Sequence, residues 1–477
     1  MNQNIMVAGF YLVFAVCMRI FSFFPLTIDH DESTYIVIAQ EMMRGSVYWV
    51  DIIDTKPPGI FMFYYLLLSL AGKSIFMIRL LVAIWIAFTA YGIYRISHNW
   101  IKKGNGPWIA GILYIILTSV FTFLGVSPNS ELFFSGLTVW ALYLLVVCRF
   151  EWWRVILSGF LLGIGITIKQ VAVFDAIPMG IFLFSMIIKE KQKFGTAFFN
   201  LSLMTFAAFL PSISIAVWYY EAGYWENWYF HMFTAAGRYP AENTVWQMFR
   251  FTGDFLLRFF PVTIMAFLAM RQWRTFRSPQ FYYLMYWVVF VLAAVIIPGN
   301  SYYHYFIQLM PPFCILAGYI LHEASDYRNH IETMLTPVRG WMMLCFLLMA
   351  NGIFQYKDYF IRHDYRKEVY ETIRNSESKY PILYIGDVGY QILYFLLDQS
   401  PPGKYLHPSL MWESKHITNL EIDRDAELNK IMDLRPEFCL ADNRRNHGVY
   451  DRFLAENYTP LDTLKSSVVL YRINKQQ

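Results

Sequence analysis

The apolar runs of this chain decide what it can fold into. Stretches long enough to cross a hydrocarbon core of roughly 30 Å recur near 5–24, 58–97 (broken at Gly72-Lys73), 107–125, 130–148, 154–168, 171–188, 197–219, 255–270, 280–298, 302–321 and 339–356. Backbone groups inside a bilayer must bond within their own segment, so runs of this length fold as helices. Of the 477 residues, 57% are hydrophobic and 16% charged, against about 25% charged in a soluble domain. Mean hydropathy is +0.36. An ordinary cytosolic enzyme is excluded, and the chain reads as a polytopic membrane protein. Its 19% of aromatic residues suits long lipid–water interfaces.

Basic residues assign the sides. Arg95/Lys102/Lys103, Arg149/Arg154, Lys189/Lys191/Lys193, Arg271/Arg274/Arg277 and Arg328/Arg339 fall on one face if the spans alternate, and the positive-inside rule makes that face cytoplasmic. The other face then holds 25–57, 126–129, Lys169, 220–254, 299–303 and everything after Tyr356. Parity requires 58–97 to cross once or three times. A half-spanning segment at 58–72 followed by a full span gives 11 crossings, with 13 as the alternative. The opening run lacks a basic leader and a small-residue cleavage site, and is expected to be a retained first span.

Residues 357–477 differ in character. Charge rises, and β-like runs (382–385, 438–441, 468–471) alternate with helix-like ones (365–374, 390–397, 426–433, 449–456). A small α/β domain of roughly 110 residues is expected there, following an all-α membrane domain over 1–356. The net charge of +4 gives no nucleic-acid footprint. The five cysteines (Cys17, Cys148, Cys314, Cys345, Cys439) show no metal or disulfide spacing. No phosphate-binding glycine motif supports ATP-driven transport.

Chemistry-bearing residues concentrate just after the first span, in Thr27-Ile28-Asp29-His30-Asp31-Glu32-Ser33-Thr34-Tyr35. Ser33–Arg44 then has helical periodicity and is expected to lie along the membrane surface. One reading makes the carboxylates a solvated turn at that helix's N-terminus, where negative charge is favourable. The other makes them a site. Next comes Asp51-Ile52-Ile53-Asp54-Thr55-Lys56-Pro57-Pro58-Gly59, in which two prolines stiffen the return to the membrane. Lys56 is there either a snorkelling anchor or a point charge for a phosphate at headgroup level.

These two elements resemble the lipid-dependent glycosyltransferases of the GT-C superfamily. The likeness is to the branch holding protein O-mannosyltransferases, the aminoarabinose transferase that modifies lipid A, and rhizobial core transferases. Asp31-Glu32 matches that branch's acidic pair after the first span, and Lys56-Pro57-Pro58 its Lys-Pro-Pro. Ser130-Glu131 looks like its second acidic site, Thr167-Ile168-Lys169-Gln170 like its Thr-Lys, and the stretch from Tyr303-His304-Tyr305 to Pro311-Pro312 like its late aromatic span. The resemblance covers 5–356 in order and topology. No motif is recognisable in the C-terminal region.

The resemblance implies an outward-facing enzyme of the inner membrane. It would move a sugar, hexosyl or pentosyl, from a polyprenyl phosphate (undecaprenyl in a bacterium) to an envelope glycan, lipid or protein, with inversion. Such transfer needs a base for the acceptor proton and positive charge where the phosphate leaves. The resemblance gives the base role to Asp31, with Glu32 supporting acceptor or metal; the residues themselves leave the choice between these neighbours open. Lys56 and Lys169 are the expected phosphate ligands, joined by Arg238 and His304. Glu131 and Asp54 are candidates for an acceptor or second acidic site. In 220–254, Trp225, Trp228, Tyr229, His231, Arg238, Tyr239, Trp246 and Arg250 form either an aromatic lid or an interfacial belt. His30, Asp31 and Glu32 are the candidate ligands of a divalent cation, and metal dependence stays open. The rival reading is a transporter of lipid-linked sugars. Ionisable groups placed in loops rather than mid-span, with no paired broken helices, argue against it.

Overall fold

The computed structural model describes residues 3–474 apart from 121–124, 148–150, 192, 239–240, 335, 377–380, 388, 445–447 and 465–466. Among the described residues, six helices are long and apolar enough to cross a membrane: Gln3–Phe23, Ile75–Ile101, Gln170–Lys189, Phe194–Glu221, Pro279–Ile296 and Pro337–Arg374. Shorter apolar helices cover Pro58–Ala71, Gly106–Leu117, Ser130–Val146 and Trp152–Ile168. The chain is an integral membrane protein. Phe198, Phe199, Phe206 and Phe209 on one span, and Trp341, Phe346 and Phe354 on another, are exposed, and lipid is the solvent that suits such faces.

Two expected spans take another form. The run at 255–270 is met by two helices, Val245–Arg258 and Phe260–Arg271, bent by 99°. Pro261 sits in the first turn of the second helix, where its missing N–H costs nothing, whereas within a continuous helix it would break a hydrogen bond. The run at 302–321 divides into a 3-10 helix, Tyr303–Leu309, and an α-helix, Met310–Tyr319. Pro311 and Pro312 again occupy the opening turn, for the same reason.

The chain forms two compact units, each drawn from separate stretches. The first comprises Met1–Phe23, Arg79–Val217 and Ala241–Tyr359, and is built of packed helices. Small residues let the backbones meet. A Cβ on Gly106 would lie 2.3 Å from the Gly318 carbonyl oxygen, and one on Gly163 2.2 Å from that of Ala208. Arg19 is buried and donates to the carbonyls of Thr118 (3.0 Å) and Gly125 (2.9 Å), so a cation closes the negative end of helix Gly106–Leu117.

The second unit comprises Phe24–Ile78, Trp218–Pro240 and Phe360–Gln477. It contains a four-stranded sheet of β1 (Leu383–Ile385), β2 (Phe438–Asp442), β3 (Tyr458–Leu464) and β4 (Val468–Ile473), in the order β1-β2-β4-β3. β1 and β2 are parallel, with Leu383 beside Phe438; β4 is antiparallel to both its neighbours, with Leu440 beside Leu470. Three strands fall on the β-like runs of the sequence. The fourth, β3, lies outside those runs, because Pro460 interrupts its pattern and a bulge follows between Pro460 and Asp462. The apolar cluster against this sheet includes Leu410, Leu428, Cys439 and Leu454, and also Ala235 with Phe230 beside it. The C-terminal region therefore shares its core with the earlier stretch Trp218–Pro240 of the same unit. Cys17, Cys314, Cys345 and Cys439 are free thiols, while Cys148 lies outside the described residues.

Candidate active site

In the second unit the acidic run becomes a helix, His30–Met43, one turn earlier than its periodicity suggests. Every residue from Glu32 to Glu41 is buried, so the helix is not a half-exposed surface element. It packs on helix Pro58–Ala71 and on the short helix Ile392–Leu396. Burial on all sides removes the need for an amphipathic pattern.

Nor is the acidic run a simple solvated cap. Asp29 stands at the N-cap without a side-chain capping bond; its carboxylate lies 2.9 Å from His30 Nδ1. Glu32 is buried and accepts from the Ile28 N–H at 3.1 Å. Asp31 accepts from Lys56 Nζ at 3.1 Å. Asp54 Oδ1 lies 3.8 Å from the same ammonium and accepts from the Lys56 N–H at 3.2 Å. Lys56 also sits 5.1 Å above the Tyr35 ring. Burial alone would lower the pKa of Lys56, but the charges of Asp31 and Asp54 overcome it and hold it well above the ordinary value. His30 is raised too: burial works to lower it, and the Asp29 carboxylate outweighs that.

The loop carrying Lys56 is braced from beneath. The Tyr48 hydroxyl donates to the carbonyls of Lys56 (2.6 Å) and Asp54 (3.0 Å), and Trp49 Nε1 donates to Asp54 at 3.1 Å. Trp49 is buried at φ +66, a left-handed conformation that surrounding packing must enforce. His231, in the π-helical turn Phe230–Ala235, stacks on Trp49 at 5.4 Å and 11°. Asn227 donates to the Trp49 carbonyl at 3.2 Å.

A second cluster lies in the first unit. Glu131 is buried at the start of helix Ser130–Val147 and bonded to Lys169 Nζ. Lys169 follows the end of helix Trp152–Ile168 and rests 3.8 Å over the Tyr305 ring. His304 Nε2 is 4.0 Å from Glu131. The expected residues thus fall into two groups, Asp31/Asp54/Lys56 and Glu131/Lys169/His304. Arg238 stands apart from both: it is half exposed and paired with Glu421 at 2.6 Å. Within the aromatic segment His231 is buried, Trp225 and Trp228 pack with ring centroids 4.9 Å apart and planes tilted by 32°, and Trp246 is exposed. Tyr239 lies outside the described residues.

Sequence reasoning missed Tyr48, Trp49 and His407. His407 is separated from Asp31 by most of the chain, and only a Pro408 at a helix start marks it. Its ring centroid lies 5.2 Å from that of His30. Ligand atoms of His30, Asp31 and His407 all fall within 4.8 Å of one another, whereas the cation set expected from the sequence had Glu32 in place of His407. A dication there would share the Asp31 carboxylate with the Lys56 ammonium. Asp31 already accepts an ammonium hydrogen bond, and His407 Nδ1 is engaged by the Ser409 N–H. Lys56 supplies the positive charge a metal would bring.

This arrangement of apolar helices, with an acidic pair after the first span and a Lys-Pro-Pro before the next membrane segment, has the GT-C membrane-glycosyltransferase fold. Residues 55–218 match the profile of the dolichyl-phosphate-mannose-protein mannosyltransferase family. Among solved structures, the chain is similar to ArnT from Cupriavidus metallidurans bound to undecaprenyl phosphate. There the TM-score is 0.66 at 12% identity, over 98% of this chain and 97% of that one. It is also similar to the oligosaccharyltransferase AglB from Archaeoglobus fulgidus in complex with an inhibitory peptide and a dolichol-phosphate. That match has a TM-score of 0.53 at 11% identity, over 93% and 70% of the two chains. No curated protein sequence matches the chain significantly.

Proposed function

We propose that the chain is a polyprenyl-phosphate-dependent glycosyltransferase of the cytoplasmic membrane. It would act on the outer face and transfer a sugar to an envelope glycan, lipid or protein. The observation that carries this reading is the Lys56–Asp31 contact at 3.1 Å, a candidate phosphate ligand touching a candidate base. Support comes from the grouping of Phe24–Ile78 and Trp218–Pro240 with the C-terminal region in one unit, since the charge pattern assigns these stretches to one side. The lipid phosphates named for ArnT and AglB are of the expected donor class.

In this mechanism the donor phosphate competes with Asp31 and Asp54 for Lys56. Once the ammonium turns to the phosphate, Asp31 is released as a stronger base. It removes the proton of the acceptor hydroxyl or amine as that atom bonds to the anomeric carbon. The bond from that carbon to the phosphate oxygen breaks, and the electron pair stays on the phosphate, opposite Lys56. A single displacement inverts the anomeric centre. Glu32 is assigned to holding the opening turn. No step is routed through a metal.

The test compares envelope glycans and lipids by mass spectrometry in cells making the wild-type chain, Asp31→Asn or no chain. The reading requires a glycosylated product that appears with the wild type alone. If Asp31→Asn makes it in full while Lys56→Ala stops movement of lipid-linked sugar, the transporter reading replaces this one.

A further inference from the structure

Two imidazoles converge on Asp31. His30 Nε2 lies 3.9 Å from Asp31 Oδ1, and a ring nitrogen of His407 lies within 4.8 Å of both partners. His407 is delivered there by specific local structure. The Ile53 N–H donates to the Lys404 carbonyl at 2.8 Å, and Ile53 and Tyr405 form a parallel bridge, which clips this C-terminal stretch to the loop ending in Asp54. Pro408 then opens a short helix. The Ser409 N–H donates to His407 Nδ1 at 3.3 Å, with Ser409 Oγ 2.6 Å from the same nitrogen. A backbone donor on Nδ1 assigns the proton of the neutral ring to Nε2.

We propose that the C-terminal α/β region completes the catalytic pocket. In it His407 is a positioning residue whose Nε2–H holds the Asp31 carboxylate after Lys56 has turned to the donor phosphate. The inference rests on Asp31 being the base. When Lys56 turns away, the Asp31 carboxylate must still be held within hydrogen-bond reach of the proton it takes. His30 is less suited to that role, because it is half exposed and its Nδ1 already serves Asp29. His407 is less exposed than His30, and its partial burial pushes its pKa down against the raising effect of Asp54, so the ring stays neutral. A neutral donor weakens a carboxylate base less than an ammonium does. Exchanging Lys56 for His407 therefore keeps Asp31 aimed while increasing its basicity.

The test uses the full chain in native membranes, read by the yield of the product that Asp31→Asn abolishes. Undecaprenyl phosphate binding is measured in parallel on the purified chain in nanodiscs. His407→Ala is expected to lower product yield by roughly 10- to 100-fold, with carrier binding unchanged. His407→Gln, which keeps a side-chain N–H donor, should recover most of that loss. Wild-type yield from His407→Ala overturns the proposal. So does equal inactivity of both variants with a lowered melting temperature, the mark of a purely structural anchor. Stoichiometric zinc or manganese on the purified wild type that His407→Ala loses overturns it too, because the trio is then a metal site. Full yield from Asp31→Asn removes the base reading itself, whereas an inactive Asp31→Asn beside an active His407→Ala removes this inference alone.

Discussion

Lys56 Nζ lies 3.1 Å from Asp31 Oδ1, and that one contact makes the two residues rivals as well as partners. A lysine tied to two carboxylates has little charge to offer a phosphate until one of them lets go. Asp31→Asn removes one of the two. The variant is expected to form no product, yet to bind undecaprenyl phosphate roughly fivefold more tightly, equivalent to about 1 kcal/mol. Titration of the carrier against the purified chain checks this. Weaker carrier binding in Asp31→Asn would show that the pair supports the phosphate site rather than restraining it.

The brace under Lys56 gives a second expectation. Tyr48→Phe keeps the ring that packs on Phe61 at 4.4 Å and removes only the hydroxyl that bonds the Asp54 and Lys56 carbonyls. One such bond contributes about 1 kcal/mol. Carrier affinity should fall roughly fivefold as the loop loosens, with less change in turnover at saturating carrier. A turnover loss with intact affinity would place the effect of Tyr48 on the base instead.

What the sequence disclosed follows from locality. Asp31-Glu32 and Lys56-Pro57-Pro58 were legible because each is a short run whose residues stay together in the fold. The prolines open helix Pro58–Ala71 as their backbone chemistry requires. His407 was illegible because its neighbour is made by the Ile53–Tyr405 bridge, a pairing between distant residues that no periodicity encodes. The enclosure of helix His30–Met43 by its neighbours Pro58–Ala71 and Ile392–Leu396 was not legible either, because periodicity reports contrast between faces and not what covers them. Hydropathy likewise read 302–321 as one span, since it averages over the prolines that divide it.

His231 makes the second unit's stability acid-sensitive. Burial, assisted by the Lys404 charge, pushes its pKa down to about 4 from an ordinary 6.5. Below pH 6.5 the unfolded chain takes up a proton that the folded site refuses, so stability is lost as pH falls from 6.5 towards 4. Full expression of that difference corresponds to about 3 kcal/mol. His231→Phe keeps a ring on Trp49 and should flatten the pH dependence of thermal unfolding across this window. An unchanged acid slope would assign the sensitivity to other groups.

The choice between lysine and metal at Asp31 has its own consequence. With Lys56 supplying the positive charge, product formation in membranes washed with EDTA should stay within about twofold of the untreated level, while Lys56→Ala should lose at least roughly 100-fold. Loss of activity in EDTA, restored by one particular dication, would reverse that assignment.

Helix packing supplies a test independent of chemistry. Gly163 faces the Ala208 carbonyl so closely that any Cβ must displace backbone, whereas nothing lies within 4 Å of a Cβ on Gly195. Close backbone approach is what holds apolar helices together where lipid competes for every apolar side chain. Gly163→Leu forces helices Trp152–Ile168 and Phe194–Glu221 apart, a strain of about 1–3 kcal/mol or more. It should lower the detergent melting temperature by several degrees. Gly195→Ala should leave it unchanged. Lys169 stands at the end of the displaced helix, so Gly163→Leu should also cut product yield by moving the ammonium off Glu131. If the melting temperature drops but yield per folded molecule is retained, the Glu131–Lys169 pair does not need this helix spacing to act.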